Sequence, residues 1–242
     1  MAAKKDNKKK GKLKENVFVI VPAFNEEKMI SSVVADLKAH GFSNVLVVDD
    51  HSKDETRTKA EQDEGEGVLV LHHIANRGQG AALKTGIDFA LQQGAQVIVT
   101  FDSDGQHQAK DLDKMIAEVE SGVYDVVIGS RFLEGSATQI PWFRKMVLKG
   151  GLVFLWVMYG LRLSDAQNGL RVMNRKTAEQ IEMKEDRMEH ATEILHEIHK
   201  KQFRFKEVPV DVKYTDYSQM KGQSSLNSIK IAFNLMMKKL AK

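Results

Sequence analysis

The sequence predicts an α/β fold, with a mostly parallel central sheet flanked by helices. Three observations carry this. Short runs rich in Val, Ile and Leu recur at residues 16–21, 45–48, 68–71, 97–101 and 124–129, as in strands buried on both faces. The stretches between them hold apolar residues at helical spacing. The early runs stop at polar or acidic clusters, where open α/β sheets form their ligand crevice. The chain has 242 residues and no cysteine. That fits one large domain with a substantial core and excludes a disulfide framework or a thiolate metal site.

The first run is predicted to end at Pro22, which cannot serve a central ladder. Asn25 is placed to cap a helix whose apolar face is Ile30, Val33, Val34 and Leu37. The run at 45–48 leads to Asp49-Asp50-His51-Ser52-Lys53-Asp54, with Ser52 or Asp54 capping a helix over 54–64. The run at 68–71 leads to His72-His73 and then Arg77-Gly78-Gln79-Gly80, opening a helix to Gln93. These glycines are not a dinucleotide fingerprint, because the third is missing and the loop does not follow the first strand. The loop is instead predicted to present Arg77 and backbone N–H groups. His72 and His73, adjacent at a strand end, point apart and read as structural rather than as a metal pair.

The run at 97–101 stops at Asp102-Ser103-Asp104-Gly105-Gln106-His107. Two carboxylates there offer hard oxygen donors to Mg²⁺ or Mn²⁺, with bound phosphates completing the shell. A helix at 110–121 and a strand at 124–129, ending at Ser130-Arg131, follow. The apolar stretch 146–159 is about 14 residues, and spanning a bilayer needs ~20. It reads as a core helix or as one lying in a membrane interface, flanked by Arg144, Lys145, Lys149 and Arg162. A polar loop from Asp165 precedes a strand at 170–173. Helices at 175–183 and 187–201 and a strand at 203–212 follow, with Pro209 marking an edge or bulge. A polar loop containing Lys221 and an amphipathic helix at 229–240 close the chain.

The net charge of +3 conceals an asymmetry. Residues 1–14 hold seven lysines against Asp6, leaving 29 basic and 32 acidic residues elsewhere. Residues 1–14 read as a basic disordered tail, able to touch anionic lipid or nucleic acid. Residues 15–215 read as the main folded domain and 216–242 as a loop and amphipathic helix packed on or beside it. No apolar h-region marks a signal peptide.

The motifs, taken together, resemble family 2 glycosyltransferases of the GT-A fold, in the branch of dolichol-phosphate mannose synthase and other polyprenyl-phosphate glycosyltransferases. They are Pro22-x-x-Asn25-Glu26, Asp49-Asp50-x-Ser52-x-Asp54-x-Thr56, Asn76-x-Gly78-x-Gly80-x-Ala82, Asp102-x-Asp104-x-Gln106-His107, Gly129-Ser130-Arg131 and Asp165-x-x-x-Gly169-x-Arg171. The resemblance implies metal-dependent, inverting transfer of a sugar from a nucleotide-diphosphate donor to a polyprenyl (dolichyl or undecaprenyl) phosphate. It implies peripheral contact with the cytoplasmic face of a membrane. Pro22, Phe24, Glu26, Gly78 and Ser103 would belong to the nucleotide-sugar site, and Val48 and Asp50 would read base and ribose. Asp102, Asp104 and Gln106 would hold Mg²⁺ or Mn²⁺. Arg131, near the sugar-nucleotide phosphates, and Lys221 would add fixed positive charge where negative charge develops on the leaving diphosphate. Arg144 would meet the acceptor phosphate, with Asp165, Arg171 and His190 on the acceptor side. The mannose synthases carry a late Arg-x-x-Gly-x-Ser-Lys loop. Here it reads Gln219-Met220-Lys221-Gly222-Gln223-Ser224-Ser225, and Leu148 replaces a serine after the acceptor arginine.

Other readings stay open. A glycan or protein hydroxyl acceptor needs a base, which His190 and Glu193, at i and i+3 on one helix, or Asp165 would supply. A phosphate acceptor is already ionised and needs positioning more than a base. A nucleotidyltransferase would carry a Gly-rich basic loop after the first strand, and Pro22-Ala23-Phe24-Asn25-Glu26 is neither. A non-enzymatic nucleic-acid module would act through residues 1–14.

Overall fold

The computed structural model describes residues 14–65, 67–138, 146, 150, 152, 156, 160 and 162–213. Residues 1–13, Arg144, Leu148, Lys221 and the closing loop and helix lie outside the described residues. The strands are β1 (Val17–Ala23), β2 (Val45–Asp49), β3 (Val68–His72), β4 (Val97–Thr100), β5 (Val126–Ser130), β6 (Arg171–Asn174) and β7 (Phe205–Pro209). The helices are α1 (Ile30–Ala39), α2 (Thr56–Gln62), α3 (Gln79–Gln92), α4 (Leu112–Glu120), α5 (Arg175–Gln180) and α6 (His190–Lys200). A single 3₁₀ turn, Ala109–Asp111, leads into α4.

One sheet takes the order β3-β2-β1-β4-β6-β5-β7. All neighbours are parallel except β6, which runs antiparallel to both β4 and β5. The start of β6 therefore lies at the carboxyl edge, beside the end of β4: Arg171 pairs with Thr100. Alternate strand residues face two apolar layers. Val19 and Val21 pack with α1 and α4 on one side, while Ile20, Val48 and Ile98 pack with α3 and α6 on the other. Full burial of each such side chain contributes roughly 1.5–3 kcal/mol.

Pro22 does not end β1, which continues to Ala23 with Pro22 opposite Val48. The carbonyls of Ile20 and Pro22 face β4, where they accept from the Phe101 N–H and the Ser103 hydroxyl. β4 ends at Thr100, so the ladder requires no donor at the proline nitrogen. Asn25 does not cap α1. Its backbone is left-handed at φ 54°, and its Oδ1 accepts from the Lys53 N–H at 2.8 Å. It thus joins the β1 turn to the β2 turn. Asp54, rather than Ser52, serves the start of α2, accepting from the Thr56 N–H at 3.0 Å.

The edges are guarded. On β3, the Val68 N–H donates to the Gly65 carbonyl and the Val70 N–H to the Glu64 carboxylate. β7 ends at Pro209, on the opposite edge. Lys14, assigned above to the tail, is bound to the fold. It is buried, pairs with Asp113 at 2.6 Å and lies over the Phe42 ring. Met146, Gly150, Leu152 and Trp156 are helical, and the Arg162 guanidinium lies 5.1 Å from the half-exposed Trp156 ring. Among the described residues no helix is long and apolar enough to cross a membrane.

Candidate functional site

The carboxyl ends of β1, β2 and β4 and the start of β6 gather most of the described candidates at one sheet edge. Asp102 lies two residues past the end of β4. Its Oδ1 accepts from Gln79 Nε2 at 2.8 Å and its Oδ2 from His107 Nε2 at 3.1 Å. Gly169 closes a third side: a Cβ there would lie 2.3 Å from Oδ2 and 2.7 Å from Oδ1. Burial disfavours the Asp102 charge. The His107 hydrogen bond, with the nearby Arg171 cation, outweighs burial and holds the carboxyl below its ordinary value.

Asp104 is held by its own loop, accepting from the Gln106 N–H at 3.0 Å and from Gln106 Nε2 at 2.7 Å. Burial, then the Asp102 charge, push its carboxyl up to about 6, with a smaller contribution from Glu26. Among the described residues no three His, Asp or Glu side chains form a complete metal cage. The donor set nonetheless fits a hard divalent cation. Two half-buried carboxylates lie close enough that the charge of Asp102 raises Asp104, and diphosphate oxygens would supply further ligands. Gln106 donates its side-chain amide N–H to Asp104. Its backbone carbonyl accepts from the Lys213 N–H, tying the loop to the last described segment.

The nucleotide-side candidates divide. Phe24 is 41% exposed at the end of β1, an aromatic face open to a ring. Glu26 is near-buried behind it, its N–H donating to Thr56 Oγ1. Ser103 is buried on the Pro22 carbonyl, and the Val48 side chain lies wholly within the core. Asp50 is buried and accepts hydrogen bonds through both oxygens. Oδ1 accepts from His73 Nδ1 at 2.7 Å and the Arg77 N–H at 3.0 Å, and Oδ2 from the Gly78 N–H at 2.6 Å. His73 Nε2 in turn accepts from Thr85, so His73 is structural. Three of the 77–81 N–H groups are engaged by the protein: two go to Asp50 and that of Ala81 goes to the Asp186 carbonyl. The Arg77 side chain pairs with Asp186.

Arg131, expected near the donor phosphates, pairs with the acceptor-side candidate Asp165. Arg131 grips Asp165 with Nε at 2.6 Å and Nη2 at 2.8 Å, both side chains being nearly buried. This bidentate geometry is the strong form of the pair. Glu207 of β7 fixes the same loop by accepting from the Ser164 and Asp165 N–H groups. Glu193 accepts from the N–H groups of Lys184 and Glu185, so it caps backbone rather than facing the crevice. His190 is buried and donates Nδ1–H to the Arg187 carbonyl. Burial lowers it to about 4, which keeps the ring neutral at pH 7. Arg171 is fully buried beneath, lowered to about 10 by burial. Its Nε and Nη1 lack partners among the described residues.

The residues sequence reading missed are Gln79 and His107, which hydrogen-bond the Asp102 carboxylate. His107 stood inside the recognised motif, whereas Gln79 stood at an unspecified position of another.

Residues 18–182 match the model of glycosyl transferase family 2. The chain belongs to that family. A family 2 relative from Methanococcus voltae, a UDP-N-acetylglucosamine–dolichyl-phosphate N-acetylglucosaminyltransferase, is 32% identical over 93% of this chain and 97% of that protein. An undecaprenyl-phosphate mannosyltransferase from Micrococcus luteus is 35% identical over 69% of this chain and 70% of that one. These relatives uphold the resemblance to the polyprenyl-phosphate branch. The fold matches that of glucosyl-3-phosphoglycerate synthase from Mycobacterium tuberculosis, solved with Mn²⁺, UDP and glucosyl-3-phosphoglycerate. The TM-score is 0.67 at 15% identity, covering 93% of this chain and 81% of that one. The family 2 chain thus has the GT-A fold that its motifs implied.

Proposed function

We propose that this family 2 glycosyltransferase transfers a sugar, with inversion, from a nucleotide-diphosphate sugar to a polyprenyl phosphate. The observation that carries the acceptor is the state of the three candidate bases. Asp165 is locked to Arg131, Glu193 caps the 184–185 backbone, and His190 is buried. The three bases named for a hydroxyl acceptor are thus engaged or buried, and an ionised phosphate needs none. The relatives from Methanococcus voltae and Micrococcus luteus, whose names specify lipid-phosphate acceptors, support the same reading.

Asp102 and Asp104 would hold Mg²⁺ or Mn²⁺, which when bound supplies Lewis-acid neutralisation of the leaving diphosphate. Pro22, Phe24 and Glu26 line the nucleotide end, with Phe24 available to stack on the base. Asp50 acts on this site by fixing the 77–78 turn. Arg131 orders the Asp165 loop, and Arg171 lends buried positive charge beneath Asp102. The acceptor's own charge makes positioning the main task of the protein. Arg144 and Lys221 are the cations proposed to meet the acceptor and the departing phosphates. Peripheral contact at the cytoplasmic face of a membrane would bring the lipid to the site. The exposed Trp156 beside Arg162 suits such a surface.

The test is nucleoside diphosphate release from a panel of nucleotide sugars with Mg²⁺ or Mn²⁺, using a short polyprenyl phosphate and the matching polyprenol. Release with the phosphate alone is the expected result. Turnover with the polyprenol or a glycan, or no turnover with any donor, overturns the reading.

A further inference from the structure

We infer that Gln79 is a positioning residue for the metal-binding carboxylate of Asp102. The inference rests on the reading of Asp102 as a cation ligand given above. Gln79 opens α3, and its backbone is fixed from both sides. Asp50 clamps the Arg77 and Gly78 N–H groups before it, and the Ala81 N–H is bound to the Asp186 carbonyl after it. Gly78 adopts φ 114°, and a Cβ there would lie 2.4 Å from the Asp186 oxygen. A Cβ at Gly80 would lie 2.2 Å from the Glu185 oxygen. The 185–186 segment therefore packs directly on this turn, and the first residue of α3 cannot drift.

From that fixed origin the Gln79 amide reaches Asp102 Oδ1 at 2.8 Å, while His107 reaches Oδ2 at 3.1 Å and Gly169 backs both oxygens. Three unconnected chain segments thus set the plane of one carboxylate. Among the described residues, Asp104 is supported by its own loop. Each Asp102 oxygen retains a lone pair after accepting one hydrogen bond, so the arrangement orients the group without consuming it. Residues that orient a ligating carboxylate typically contribute 10–100-fold in metal affinity.

The experiment measures Mn²⁺ binding to the full chain by electron paramagnetic resonance titration, with and without UDP and GDP. The proteins are wild type, Gln79→Met, which keeps length but loses the donor, and Gln79→Leu. Thermal melts are run on all three. The expected result is a Mn²⁺ affinity at least tenfold weaker in the folded variants, with melting temperatures close to wild type. Saturating Mn²⁺ should restore turnover, so the loss appears in the metal requirement rather than in kcat. Wild-type affinity in either folded variant overturns the inference and leaves the metal reading intact. Absence of Mn²⁺ binding by wild type overturns the metal reading itself. If Gln79→Met melts early, Gln79→Leu is scored. Early melting of both, with no weakening in the fraction still folded, assigns Gln79 to stability and overturns the inference.

Discussion

Replacing Gly169 with alanine tests whether the site depends on the close approach of β6 to Asp102. The added Cβ would lie 2.3 Å from Oδ2 and 2.7 Å from Oδ1, and ordinary contact begins near 3.4 Å. Either the carboxylate or the backbone must retreat by about 1 Å. The backbone is pinned, because the Gly169 carbonyl accepts from Thr100 Oγ1 at 2.6 Å and Arg171 is in register with Thr100. The carboxylate therefore moves, and a displacement of that size costs about 10²-fold in rate. Overpacking adds about 1–3 kcal/mol of destabilisation, at roughly 2–4 °C of melting temperature per kcal/mol for a chain of this size. The assay is the initial rate of nucleoside diphosphate release across a Mn²⁺ titration, paired with a thermal melt. Gly150→Ala is the control, since its Cβ would meet nothing within 4 Å among the described residues. If Gly169→Ala keeps the wild-type rate and metal requirement, the geometric argument for Asp102 is refuted.

Asp104 predicts a pH effect in the metal-free protein. Its native value of about 6 exceeds the unfolded value of 3.8, so the folded state binds the proton more tightly. Its contribution to stability is therefore present below pH 4 and is lost as pH rises through 6, a change of about 3 kcal/mol at most. Urea unfolding of wild type against Asp104→Asn from pH 4 to 8 should show the difference, and Asp104→Asn should also lose metal-dependent turnover. Breaking the Arg131–Asp165 pair with Asp165→Asn should cost about 3–5 kcal/mol in urea unfolding, because a buried guanidinium loses its partner. His190→Gln and Glu193→Gln should keep kcat with a polyprenyl phosphate within a few-fold. A loss of 10²-fold or more in either would return the hydroxyl-acceptor reading to favour.

The strands were legible because β1, β2 and β4 are buried on both faces and so read as unbroken apolar runs ending in carboxylates. The Asp102–Asp104 pair was legible for the same reason, since both residues sit where a run stops. Long-range contacts left no local trace. Nothing near Arg131 announces that Asp165 claims it, and nothing near Glu193 announces the 184–185 backbone. Pro22 misled because its constraint depends on which neighbour its nitrogen faces. Asn25 misled because a left-handed asparagine joining two loops has the composition of a cap. Gln79 was illegible because it reaches Asp102 only after α3 docks beside β4.

The antiparallel strand β6 has a consequence for the order of assembly. It alone links β3-β2-β1-β4 to β5-β7. A chain emerging from the ribosome can build the first four-strand block as soon as β4 arrives, but the flank of β4 then stays bare until residues 171–174 appear. Domain-sized chains are most prone to misassociate while such a flank is bare. A four-residue splice thus decides when the half-made protein stops being vulnerable, and the same event brings Gly169 against Asp102.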